Sequence, residues 1–453
     1  MMALLTSVIS FIVALGVLVT VHEFGHFWVA RKFGVKVLRF SVGFGKPLFT
    51  FRRNNDSTEY VLAGIPLGGY VKMLDESEGA VEEHEKHLAF NNKPLFSRFL
   101  IVLAGPVFNL LFAFFAFFAI LTIGEDGLKP VIGGMTESGI AIHSDIEIGD
   151  EILAVNDRPT GIWRVAVGLM ASELLDTGHV ELTVAKTGGQ VKKVVLSFPA
   201  NLLPEPNEVV DRIGIEPLLP KIKPIIGTVI DGEAGHKAGL KQGDLIVSVN
   251  QKAIETWREW VSLIRTNHNK SISIQVIRNN DILQMSVTPK EITENGEVIG
   301  RIGVSPIVDE NIARDFYSSY SLSGFSAMTE AATQTINYSL LTFKLIGRMI
   351  VGEASVQNLS GPIRLAQYAG KTASIGLVPF LNFLAFLSIS LGVINLLPIP
   401  MLDGGHLFFY LIEAVKGKPV SDKAQGVFMR FGMFVLLSIM LLAVFIDLSR
   451  LLG

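Results

Sequence analysis

The first 21 residues, Met1 to Val21, contain no Asp, Glu, Lys, Arg or His. A helix needs about 20 apolar residues to cross a bilayer, so this run is expected to lie in lipid. The first ionisable side chains then arrive together, in Val21-His22-Glu23-Phe24-Gly25-His26. On a helix His22 and His26 stand one turn apart on one face, where both imidazoles can reach one metal ion, with Glu23 beside it. In this pattern zinc acidifies a water and the neighbouring carboxylate takes its proton. The five-residue pattern also arises by chance. What points to chemistry is its address, because ionisable groups at membrane depth are costly and usually mark function.

Three more uncharged runs follow: Phe99–Gly124 with 26 residues, Thr372–Leu402 with 31 and Phe431–Ile446 with 16. The fold expected is therefore a polytopic α-helical membrane protein with four transmembrane helices, at 1–30, 98–124, 372–414 and 427–452. Hydrophobic residues make up 49% of the chain and charged ones 18%, which suits that class. The net charge of -3 implies no nucleic-acid partner. With no cysteine, disulfides and thiolate metal sites are excluded, so a zinc must use His, Asp or Glu. The first run lacks a basic start and a small-residue cleavage pattern, and reads as a retained span rather than a signal peptide.

Lys and Arg set the orientation. The first loop, 31–97, together with Arg98 at its end, holds eleven of them, and the first thirty residues hold none. Loops one and three are expected on the cytoplasmic side, with both termini and the long middle segment outside. In the first loop, Pro47–Phe51 and Glu59–Met73 read as short strands joined by Arg53-Asn54-Asn55-Asp56. The run Gly64–Val71, GIPLGGYV, is either an ordinary hairpin turn or a re-entrant hairpin whose open edge pairs with a substrate; Leu67, Gly68 and Tyr70 are the residues assigned to that contact. Asp75–Lys86, rich in glutamate, is a solvated face.

The middle segment repeats itself at an offset of 94: Gly133–Asn156 matches Gly227–Asn250. A Gly-Asp turn feeds an alternating strand that ends in Asn, which argues for two small β-rich modules. The pattern xxGDxIxxVN resembles PDZ domains, placed at 127–221 and 222–308, with Ala238–Asn250 the closer match. Such modules add a peptide strand to a sheet edge, though each copy would also serve as a plain structural domain. Residues 309–371 are expected to form amphipathic helices on the outer membrane surface, with Ser360-Gly361-Pro362-Ile363 leading towards the third span.

That span ends in Asn395-Leu396-Leu397-Pro398-Ile399-Pro400-Met401-Leu402-Asp403-Gly404-Gly405. Two prolines one residue apart cannot occupy a helix interior, so the helix must open there. Asn395 and Asp403 then flank irregular backbone inside the bilayer, where such residues line wet cavities. A catalytic zinc needs a third protein ligand, and Asp403 is the best placed; His406 is read as interfacial. Gly105 and Asn109 in the second span are read as packing positions.

HEFGH at 22–26, NxxPxPxxDG from Asn395 to Gly404, GIPLGGYV, Ala104-Gly105-Pro106-Val107-Phe108-Asn109 and the two PDZ-like copies resemble, in that order and over nearly the whole chain, the site-2 protease family. The resemblance implies an intramembrane zinc metalloprotease of the bacterial inner membrane with its PDZ-like domains in the periplasm. It implies His22, His26 and Asp403 as zinc ligands and Glu23 as general base. Asn395 is implied to hold the substrate chain, and Pro398 is grouped with it. The implied partners are the lipid bilayer and a single-span substrate, an anti-sigma factor, with signal peptide remnants as a second class. The outer modules would admit only substrates whose outward domain is already gone. Two rivals remain: a PDZ-bearing scaffold or sensor with a structural metal, and a metal transporter, against which stands the absence of any repeat among the spans.

Overall fold

The computed structural model describes residues 2–53, 58–77, 79–198, 209–294, 297–307, 309–351 and 361–452. The expected connection Asn54–Asp56, and Ser360 of the SGPI run, lie outside them. The chain divides into two compact units, Met1–Ile123 with Ser321–Leu452, and Gly124–Tyr320.

The first unit is a helix assembly carrying one small sheet. Helix α1 is Met2–Lys32, and strands β1, Val37–Arg52, and β2, Glu59–Met73, follow it. Helix α2 is Leu95–Ile123, α3 Gly324–Ile350, α4 Pro362–Ile375, α5 Leu377–Leu396, α6 Asp403–Lys416 and α7 Asp422–Leu452. Among the described residues three helices are long and apolar enough to cross a membrane, Leu4–Lys32, Leu95–Ile123 and Leu377–Leu396. Their outward side chains, such as Leu4, Val13 and Phe115, are exposed and apolar, as expected of helices whose solvent is lipid. Ala14, Leu18 and Leu384 are buried where α1 meets α5.

Three local expectations are corrected. The expected strand Pro47–Phe51 is part of a 16-residue strand that starts at Val37, because alternating apolar residues continue back to the end of α1. Each strand serves twice: Phe40 pairs with both Val71 and Tyr60, and Val42 with both Gly69 and Leu62. The pair therefore folds into four short strands, and one outer member is Gly69–Met73. Residues 309–350 are not wholly helical, since Tyr317–Tyr320 pairs with Glu125–Leu128 and extends the second unit beyond the expected boundary at 308. The uncharged run from Thr372 to Leu402 is interrupted at Gly376, a glycine at φ 152° between α4 and α5, and again at the prolines.

Asp447 in α7 is 3% exposed, and its carboxylate accepts from the backbone N–H groups of Gly361, Ile363 and Arg364. A side chain from another helix thus satisfies the free donors at the start of α4.

The second unit repeats one module. Strands Glu151–Val155, His179–Ala185 and Val191–Ser197 in the first copy correspond to Leu245–Val249, Ile272–Arg278 and Asp281–Val287 in the second, each sheet backed by a helix, Trp163–Thr177 or Trp257–Thr266. The repeated residues do the same work in both. Asn156 and Asn250 take positive φ, and their side chains accept from Glu181 N and Ser273 N, both at 2.9 Å. Asp150 and Asp244 are fully buried and receive the N–H groups of Glu147 and Lys241 at 2.8 Å. Each buried carboxylate also has a cation, Lys186 at 3.0 Å or Arg278 at 2.6 Å. Burial alone would lower the Lys186 ammonium's pKa, but Asp150 and Glu147 outweigh it and hold it above its ordinary value.

Asp244→Ala removes the acceptor of two hydrogen-bonding groups at once and is expected to destabilise its module by about 2 kcal/mol. Hydrogen exchange of Leu245–Val249 should then quicken more than that of Glu151–Val155, and equal rates would show the carboxylate to be dispensable.

Candidate metal centre

Helix α1 continues through the histidines, so His22 and His26 project from consecutive turns, as the four-residue spacing requires. Helix α5 ends at Leu396 and α6 begins at Asp403, with Met401 at φ 77° between them. The opening expected at Pro398 and Pro400 is therefore present, and it delivers Asp403 on the first turn of a new helix. Asp403 Oδ2 lies 3.1 Å from His22 Nε2 and 3.5 Å from His26 Nε2, and the two Nε2 atoms are 3.3 Å apart. Ligand atoms of these three residues all fall within 4.8 Å of one another, the arrangement that holds a divalent ion.

The donor set fits zinc. Two imidazoles and one carboxylate are the protein ligands of a catalytic zinc with a position left open. Asp403 Oδ2 is buried with no hydrogen-bond partner, although it faces two imidazole nitrogens. A cation between the three residues would satisfy all of them at once. His26 Nδ1 is held by the Ile101 carbonyl at 2.8 Å, which orients the ring from behind.

Helix α2 makes the convergence possible. A Cβ on Gly105 would lie 2.8 Å from His22 Cε1 and closer still to His26 Nε2, so only glycine lets α2 pass the imidazoles at this distance. At its start, Arg98 Nη2 meets Glu413 Oε1 at 2.6 Å, both side chains largely buried, and the guanidinium lies over the Tyr410 ring at 5.2 Å. This contact ties the far end of α6 to α2 while the near end carries Asp403.

Glu23 lies outside this group of three and faces the sheet. A Cβ on Gly69 would meet Glu23 Cγ at 3.1 Å, Val19 Cγ1 at 2.9 Å and the Ser41 carbonyl at 2.7 Å. The outer strand Gly69–Met73 thus passes directly beside the carboxylate. Among the other hairpin residues, Gly68 backs onto the Phe44 ring, while the Tyr70 hydroxyl accepts from Arg39 Nη1 at 3.1 Å and its ring stacks on Phe44. Tyr70 is therefore engaged within the sheet. For Leu67 the structure gives the backbone strand alone. Asn395 is 8% exposed on the last turn of α5, and Pro398 is exposed at the opening. His406, expected at an interface, is half-buried on α6 one turn beyond Asp403 and outside the ligand group. Asn109, read from sequence as a packing residue, also contacts the site: its Nδ2 is 3.1 Å from His22 Nδ1. Its sequence context, a small-residue packing motif, carries no signal that sets it apart.

A family profile described as Peptidase family M50 matches residues 10–439. The Escherichia coli protein named Regulator of sigma-E protease RseP is 42% identical over 458 residues, covering 100% of both chains. A Vibrio cholerae protein named Putative zinc metalloprotease is 40% identical over 99% of both, and the Yersinia pestis Protease RseP is 41% identical over 100% of both. Among solved structures, a PDZ domain from Listeria monocytogenes covers 21% of this chain at 16% identity and a TM-score of 0.17, a likeness too slight to bear on its fold.

Gly105→Ala should push the imidazoles apart and cut the zinc content of the purified chain together with its activity. Wild-type zinc by elemental analysis would mean that the rings have room to give way.

Proposed function

The chain belongs to peptidase family M50, and from that premise we propose that it is an intramembrane zinc metalloprotease of the site-2 type, cutting the membrane segment of a single-span substrate. The observation that carries the reading is the convergence of His22, His26 and Asp403 at a helix opening, with Glu23 in electrostatic reach of all three. His22, His26 and Asp403 would hold the zinc. When bound, it supplies a Lewis acid that polarises a carbonyl and lowers the pKa of water.

Glu23 is placed to accept a proton from that water and to return it to the leaving amine nitrogen. Substrate access is the harder problem, since a helix spends its amides on itself and must unwind before a carbonyl is exposed. The strand Gly69–Met73, on the outside of the sheet and against Glu23, offers backbone groups to which an unwound segment can pair. Asn395, at the end of α5, offers an amide that can hydrogen-bond the same segment. Both offset the lost helix bonds.

We extend to this chain the sigma-E regulation that the relatives' names state. The substrate is then an anti-sigma factor, and signal peptide remnants form a second class of single-span segment. We take helix α7 as a fourth span, the repeat copies as PDZ-like modules, and the membrane as a bacterial inner membrane. The basic first and third loops face the cytoplasm, with both termini and the modules in the periplasm.

Glu23→Gln should retain zinc and lose cleavage by about 10²–10⁴-fold, the usual contribution of a general base. Cleavage of a single-span substrate by the wild-type and variant chains, with zinc measured on both, decides the matter; activity surviving in the variant would favour a structural metal on a scaffold. Asn395→Ala should raise KM with little change in zinc content, and unchanged kinetics would remove it from the substrate site.

A further inference from the structure

The two histidines are held differently from behind. His26 Nδ1 faces the Ile101 carbonyl at 2.8 Å, and a carbonyl can only accept. Its Nδ1 therefore carries the proton, and its Nε2 keeps a lone pair for a metal. His22 Nδ1 faces instead the Asn109 side-chain nitrogen at 3.1 Å. An amide NH2 can only donate, so with the nitrogen turned inward the ring proton would sit on His22 Nε2, the atom that must ligate. In that tautomer His22 cannot ligate through Nε2.

The same orientation leaves Asn109 Oδ1 buried with no partner, on a residue that is 0% exposed. Turning the amide by half a turn brings Oδ1 to Nδ1, gives the oxygen a donor and moves the ring proton off Nε2. The amide nitrogen then becomes the unpaired group, and His22 Nε2 keeps its lone pair for a metal. The rest of Asn109 is anchored: its backbone carbonyl accepts from Ser388 Oγ at 2.8 Å, and Ser388 is fully buried on α5. The residue behind His22 is thereby joined to the helix that leads to Asp403.

We propose that Asn109 is a positioning residue for the metal centre, whose side-chain oxygen accepts a hydrogen bond from His22 Nδ1–H and so holds the ring in the tautomer whose Nε2 can ligate. This inference rests on the metalloprotease reading.

Zinc affinity of the full chain in detergent, read by competition with a chromophoric chelator, tests it without reference to catalysis. Asn109→Leu fills a similar volume with no polar atom and should bind zinc about 10–100-fold more weakly. Asn109→Asp keeps an oxygen opposite Nδ1 and should bind as tightly as the wild type. The proposal is overturned if Asn109→Leu retains wild-type affinity, or if Asn109→Asp is weakened as far as Asn109→Leu. Should Asn109→Leu not fold, Asn109→Ala against Asn109→Asp decides by the same criterion. A wild-type chain that takes up no zinc would instead bring down the metalloprotease reading, which keeps the two failures apart.

Discussion

Two imidazoles and a carboxylate from opposite ends of the chain must reach within a few ångströms of one another in a low-dielectric interior. None of them is comfortable there alone. A buried carboxylate with an unpaired oxygen, facing two ring nitrogens, is a costly arrangement that a divalent cation resolves. The helices around the site follow from this need. Helix α1 supplies the pair on consecutive turns, the prolines end α5 so that Asp403 can be presented, and α2 runs between as the common wall.

The wall is specialised along its length. Near its start Arg98 grips Glu413, Ile101 orients His26, Gly105 gives the rings space and Asn109 reaches His22. These positions, 98, 101, 105 and 109, follow helical spacing and so share one face of α2. A helix that sequence alone marks only as an apolar span thus carries the outer support of the proposed metal ligands. Such support sets tautomer and ring angle and is as much a part of a metal site as the ligands themselves.

The sheet beside α1 solves a different problem. Its strands double back so that Gly69–Met73 is left on the outside next to Glu23. Aromatic contacts of Phe27 with Phe40 and Tyr60 fix the sheet to the end of the first helix. An open strand edge is ordinarily a liability in a membrane protein, tolerable where a chain can pair with it. Here the edge strand lies against Glu23, the proposed base.

Much of this was legible in residues. Uncharged runs mark the helices because lipid excludes charge. The HExxH spacing, the paired prolines and the 94-residue repeat each impose local geometry, and the structure shows the helical pair, the helix opening and the duplicated Gly-Asp turn they require. Local rules could not reveal the doubled pairing of β1 with β2, the strand Tyr317–Tyr320 or the cap that Asp447 places on α4, since each depends on a partner far along the chain. Asn109 shows the limit most sharply. Its sequence context is that of any small-residue packing motif, and only the crossing of α2 over α1 decides that its amide meets an imidazole rather than lipid. Periodicity and composition determine what each segment is; which atoms then meet is decided by how the segments pack, because contact energies fall off within a few ångströms.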